Sequence, residues 1–127
     1  GGVYGGTVAV ISGSVLTMSD CIFSENKLNS GSGVACGSDL RTAGTVNLSE
    51  NIAAEFANTG SFTLNITGAL NKDSRIKLYY SNTKNILNSK VLSYDNSIDK
   101  TSFNDIFSIS NEGYKLSFGD TAATVTQ

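Results

Sequence analysis

A chain of 127 residues has room for one domain with a modest core, and its nine Lys and Arg against eleven Asp and Glu, a net charge of −2, lack the basic field that non-specific nucleic-acid binding requires. There is no His, so the commonest neutral-pH base and metal ligand is missing, and with it the Ser-His-Asp and Cys-His nucleophile arrangements and nearly every catalytic zinc site. No apolar run approaches the ~20 residues of a membrane-spanning helix, and nothing in the composition implies a cofactor.

The chain opens on GGVYGG without an initiating Met and reads as a piece of a longer protein, so the missing signal peptide is no argument for a cytoplasmic home. Apolar residues then recur with a period of two: Val8 and Val10, Leu16 and Met18, Phe62 with Leu64 and Ile66, Ile76 and Leu78, Tyr114 with Leu116 and Phe118. This is strand periodicity, and it runs the length of the chain. The best helical spacing is in ENIAAEFANTG, where Ile52, Ala53 and Phe56 share a helical face; a strand and turn is the preferred reading of the same residues. Short strands are divided by SGS at 12–14, NKLNSGSG at 26–33, GSD at 37–39 and ANTGS at 57–61. Pro, Asn-Gly and Asp-Gly are all absent, which disfavours a meander of tight hairpins.

The opening repeats itself. Gly2-Val3-Tyr4 aligns on Gly33-Val34-Ala35, and GTVAVISG at 6–13 is echoed by GSVLTMSD at 13–20 and by GTVNLSEN at 44–51. Such spacing predicts a stacked solenoid, in which no coil buries its inward row alone and neighbouring coils supply the core. A right-handed parallel β-helix suits the composition, with Val, Ile, Leu and Phe inward, Gly at positive-φ turns and Asn in hydrogen-bonded ladders between coils. Phe23 is expected to point inward and Asn26 to sit at a turn. From about Thr59 the glycines thin out, strands are expected to lengthen, and aromatics replace small residues. Because an open solenoid end exposes apolar cross-section and unpaired edges, the expected fold is an all-β, right-handed parallel β-helix fragment with C-terminal capping strands. Residues 1–39 are its coils, and 40–127 the terminal coils and cap, continuous with the same solenoid. Cys21 and Cys36 could pair as a disulfide in a secreted chain, the preferred reading being two small buried side chains.

GGVY, VLTMSDCIFSEN and GSGVACG resemble the rung pattern of bacterial right-handed β-helix surface proteins. AEFANTGSFTLNITGALN resembles their terminal coil, and RIKLYYSNTKNILNSKVLSYDN with DIFSISNEGYKLSFGDTAATVTQ their closing strands. Gly1, Gly2 and Val3 with Phe23 and Asn26 are also similar to the repeats of chlamydial polymorphic membrane proteins, with Val3 where that family has Ala. The resemblance implies an adhesin-like protein, secreted or held at the cell surface, whose solenoid is a stalk or display surface. Gly2, Val3, Phe23, Asn26, Gly33 and Val34 carry the repeat, and their part is structural.

The same scaffold serves polysaccharide lyases and glycoside hydrolases, which need carboxylates roughly 5–10 Å apart. Asp20 and Asp39 are the candidate pair, with Arg41 the basic residue near them; the plainer reading is that both are turn residues. Asp95, Asp99 and Asp105 in DNSIDKTSFND could offer oxygens to calcium but lack the EF-hand pattern, and solvated loop acids are preferred. No catalytic, cofactor or metal residue is assigned. Lys72, Arg75, Lys77, Lys84 and Lys90 with Tyr79 and Tyr80 form a candidate binding face for a host surface protein or glycan, the alternative being outward residues that guard a strand edge. NLS at 47–49 and NIT at 65–67 are glycosylation sequons only in a eukaryotic source. The expected function is a non-enzymatic structural or adhesive module, extracellular or at the cell surface, whose partners include the rest of its own chain but neither nucleic acid nor a membrane. The alternatives are a fragment of a carbohydrate-active β-helix enzyme, or a β-sandwich carbohydrate-binding module with Tyr79 and Tyr80 beside its groove.

Overall fold

The computed structural model describes residues 8–23, 39–58 and 63–127. They are all-β, as the period-two pattern predicts. The strands are β1 (Val8–Val10), β2 (Val15–Ile22), β3 (Leu40–Thr42), β4 (Thr45–Asn58), β5 (Thr63–Leu70), β6 (Arg75–Tyr80), β7 (Lys90–Tyr94), β8 (Phe107–Ile109), β9 (Lys115–Phe118) and β10 (Ala122–Thr126). A four-residue turn of helix, α1 (Phe103–Ile106), precedes β8. The ten strands join in one mixed sheet that curls into a nearly closed, barrel-like tube.

Within it the strands stack in two columns, and the chain alternates between them. One column runs β1, β3, the C-terminal half of β4, β6 and β8; its rows include Val8–Leu40–Phe56–Leu78–Ile109. The other runs β2, the N-terminal half of β4, β5 and β7, with Leu16–Val46–Leu64 and Met18–Leu48–Ile66–Tyr94 as rows. Every one of these pairings is parallel. Side chains alternate across a strand, so the apolar rows point inward and merge into one core cluster. ENIAAEFAN is strand, as preferred, but strands do not lengthen after Thr59: β4, at 14 residues, is the longest. It stays one strand through a corner because Glu50 takes φ 65°, at the same level, just past the Ser19–Ser49 row, where Asp20, at φ 54°, bends β2.

The repeat is real but its register differs from the expected one. GTVAVISG does not stack on GSVLTMSD: β1 lies on β3 in the first column, whereas β2 belongs mainly to the second. Nor does Gly13 set the register against Gly44 ahead of the corner: Ser19 faces Ser49, one residue short of the glycine alignment, and only after one extra residue enters β4 does Cys21 face Ile52 in step with it. Before that corner the true row is Leu16 on Val46, and aligning the glycines would turn Val46 and Leu48 out of the core. The copies at Gly2-Val3 and Gly33-Val34, together with Asn26 and Cys36, lie outside the described residues. Phe23 does pack against the core, half-buried, and its amide donates to the Ala53 carbonyl.

Corner polar groups are satisfied by side chains acting across strands. The buried Ser74 hydroxyl accepts from the Ile52 amide at 3.0 Å and donates to the Glu50 carbonyl at 3.1 Å. On the outer surface Asn47 Nδ2 donates to Thr17 Oγ1 at 3.3 Å and Asn65 Nδ2 to Asn47 Oδ1 at 3.1 Å, a ladder across three strands in the row that ends at Ser93.

The two ends differ. After β8 the chain turns at Gly113 (φ 85°) into the β9–β10 hairpin, and β10 pairs antiparallel with β7, ending the parallel stack. Tyr94, Phe103, Phe107 and Phe118 fill this end, with the other three ring centroids 5.1–5.7 Å from that of Phe103, and the Tyr94 hydroxyl donates to the Gly119 carbonyl at 2.8 Å. At the other end Val8, Leu16, Cys21 and Phe23 are only half-buried, while Leu40, Val46 and Ile52 beside them are fully buried. Ile11, Val15 and Ile22 are each about two-thirds exposed there (66%, 66% and 64%).

Candidate functional site

The structure divides the expected binding face. Arg75, Lys77 and Tyr79 alternate outward along β6 while Ile76 and Leu78 point into the core. Lys72 lies in the turn before β6, and the Arg75 guanidinium is held back on that turn by the carbonyls of Lys72 (3.1 Å) and Ser74 (2.7 Å). Lys90 begins β7 in the other column. Tyr80 and Lys84 meet in a separate cleft past the end of β6. The seven residues therefore belong to different surfaces.

That cleft, of ≈ 300 Å³, is lined by Asn58, Tyr80, Lys84, Asn85 and Ser89 among others, above the buried Ile86. Its wall is tied down: the Ser81 amide and hydroxyl both donate to the Asn58 carbonyl, Lys84 N to Asn82 Oδ1 at 2.9 Å, Ser89 Oγ to the Asn85 carbonyl at 3.1 Å, and Asn88 N to the Val125 carbonyl on β10. Asn85 and Asn88 adopt φ 61° and 67°, left-handed geometry that Asn tolerates and that folds the loop sharply. The Tyr80 phenol is bonded to the Asn58 side chain; burial pushes its pKa up, partly opposed by that bond.

A second cleft, of ≈ 400 Å³, is lined by Phe23, Asp39, Glu55, Arg75, Lys77 and Asp105 among others. Its carboxylates have structural engagements. Asp39 Oδ2 accepts from the Glu55 amide at 2.8 Å, and Glu55 stands opposite Lys77 in the β4–β6 ladder.

Asp20 Oδ1 accepts from the Asn51 amide at 3.1 Å, four residues before the amide that Asp39 holds. Both acids of the candidate catalytic pair thus bind main-chain amides of β4, though across coils and not within their own turns. Of Arg41 only the strand position is described. Asp95 and Asp99 close onto their own loop, accepting from Ser97 N (2.9 Å) and Thr101 N (3.0 Å), while Asp105 lies on α1 at the second cleft. Among the described residues no three Asp, Glu or Cys gather as a metal site, and no helix is long and apolar enough to cross a membrane. Both sequon asparagines, Asn47 and Asn65, spend their amide nitrogens in the outer ladder.

Comparison with protein-family models, curated proteins and solved structures finds no match to this chain. The site therefore rests on its own geometry. Sequence reasoning missed Asn58, Asn82, Asn85 and Ser89; the cue for the last three is SNTKNILNS itself, a polar loop around the buried anchor Ile86, whereas Asn58 lies at the end of β4 and carries no such cue.

Proposed function

We propose that this chain is the capped end of a right-handed parallel β-helix and works as a non-enzymatic structural or adhesive module of a secreted or cell-surface protein, of the bacterial adhesin-like kind that its rungs resemble. One observation carries the reading: parallel rows run through both columns, an antiparallel strand stops one column at β7, and at β1 and β2 the row members Val8 and Leu16 are only half-buried, although Val10 and Met18 on the same strands are covered. An additional coil on the β1–β2 side would bury Val8, Leu16, Cys21 and Phe23 as their row neighbours are buried, at a gain of about 25 cal/mol per Å² covered. The rest of its own chain is the partner proposed for that edge, and a host protein or glycan the partner for the outer surface. The non-enzymatic part is supported by Asp20 and Asp39, whose carboxylates are engaged by amides of β4.

The test removes residues 111–127. Loss of the hairpin bares the outer edge of β7 and the Tyr94–Phe103 rings, so the shortened chain is expected to self-associate on size exclusion while keeping a β circular-dichroism spectrum, or to lose cooperative unfolding. A truncated chain that stays monomeric and as stable as the intact one would defeat the capped-solenoid reading.

A further inference from the structure

We infer that the cleft between the ends of β4 and β6 and the 81–89 loop is a binding site for a small hydroxyl-rich anion, of the class of a carboxylate-bearing sugar ring. The inference refines the adhesive half of the proposed function and is independent of the solenoid half. Its ≈ 300 Å³ lies at the lower bound for small-ligand sites, the size for one ring and not for an extended chain.

The lining chemistry selects the ligand. Three Asn and two Ser surround the cleft, and amides and hydroxyls both donate and accept, as paired sugar hydroxyls require. No carboxylate lines it, so Lys84 is its sole formal charge. Lys84 Nζ, Asn82 Nδ2 and the Asn85 side-chain amide make no bond among the described residues, which leaves a cation and amide donors available together. Three other basic side chains are differently placed: Arg75 is bound to its own turn, Lys100 to the carbonyls of Asn96 and Ile98, and Lys77 stands opposite Glu55. The loop is anchored at Ile86, at Asn88 and at Ser81, so the site is formed before any ligand arrives, which spares the ordering cost of binding. The Tyr80 ring at the floor gives an apolar surface on which one face of a sugar can lie.

Titration of the ¹⁵N-labelled intact chain with glucuronate, glucose and acetate tests this. Glucuronate is expected to shift the amides of Asn58 and residues 80–89 saturably in the millimolar range, with glucose and acetate each at least about fivefold weaker, the effect of one exposed charge or of the lost ring contacts. Lys84→Gln should weaken glucuronate by a similar factor, and Lys72→Gln should leave it unchanged. No saturable shift at 80–89, equal binding of acetate and glucuronate, or indifference to Lys84→Gln would each overturn the site. Because the reporter is the cleft of the untruncated chain, these outcomes are separate from those of the cap deletion.

Discussion

The side chain of Asn111 pairs with both main-chain groups of Tyr80: the Tyr80 amide donates to Asn111 Oδ1 at 2.8 Å, and Asn111 Nδ2 donates to the Tyr80 carbonyl at 2.9 Å. One side chain thus continues the β6–β8 ladder a step past Ile109, where the chain has already left for the cap. It also fixes the residue at the floor of the polar cleft. Asn111→Ala is expected to cost about 1–3 kcal/mol in denaturant unfolding, since it strands two polar groups at the strand end. Asn111→Asp should recover only part, because a carboxylate can accept from the amide but cannot donate to the carbonyl.

Gly44 sits where successive coils cross. A Cβ there would lie 2.5 Å from the Ile11 carbonyl oxygen and 2.6 Å from that of Ser14, both backbone atoms held as acceptors, the first by the Ser14 amide and the second by the Thr45 amide. Gly44→Ala should therefore destabilise by about 1–3 kcal/mol or more. Gly13→Ala tests a different mechanism: no atom stands in its way, and its cost comes from φ 84° alone. Thermal melts of the two variants should rank Gly44→Ala as the more damaging.

The loop after β7 carries a pH dependence of definite sign. Hydrogen bonds from Ser97 hold the Asp95 carboxyl below its ordinary 3.8, and those from Thr101 do the same for Asp99. A depressed folded pKa means that the contribution is present above the unfolded value and is lost as pH falls through the folded one. Both groups are fully exposed, so the effect is local, and carbon-detected NMR titration of the side-chain carboxyls is the proper measurement. Midpoints below 3.8 are expected for both, and Ser97→Ala should raise that of Asp95 without moving that of Asp99.

Much of this architecture is legible in the sequence, and its failures have identifiable causes. Alternation named inward residues along the chain, among them Val10, Met18, Leu64, Ile66, Ile76 and Leu78, because a side-chain period of two survives any loop between strands; it passed over Leu40, Val46, Leu48, Val91, Tyr94, Phe107 and Val125, which the structure buries as well. Register did not survive: Gly13 and Gly44 look equivalent, but the rows ahead of the corner, such as Leu16 on Val46, run one residue out of that alignment, and only the extra residue at the Glu50–Asn51 corner brings the later rows, such as Cys21 on Ile52, back to it. Variable excursions conceal the repeat further, since Leu40 and Phe56 are row neighbours 16 residues apart while Val8 and Leu40 are 32 apart. The closing hairpin carries no Asn-Gly; it turns through Gly119, whose amide donates to the Ala122 carbonyl at 2.8 Å. The polar cleft was half visible as Tyr80 and Lys84, yet the grouping with Asn58 depends on a coil-to-coil stacking that linear spacing does not encode.

Hydrogen exchange should read the polarity of the stack directly. The N-terminal half of β4 lies between β2 and β5, so its amides are bonded on both sides, whereas β2 has a paired neighbour on one side only among the described strands. In a parallel strand successive amides point to opposite neighbours, so Val15–Ile22 should show alternation: amides aimed at β4 protected, those aimed away exchanging nearly as fast as free chain. Lys90–Tyr94 should show no such alternation where β5 and β10 flank it on either side. Uniform protection along β2 would mean that its outer edge is already covered, and the half-buried Leu16 and Phe23 would then need another explanation than an edge awaiting the next coil.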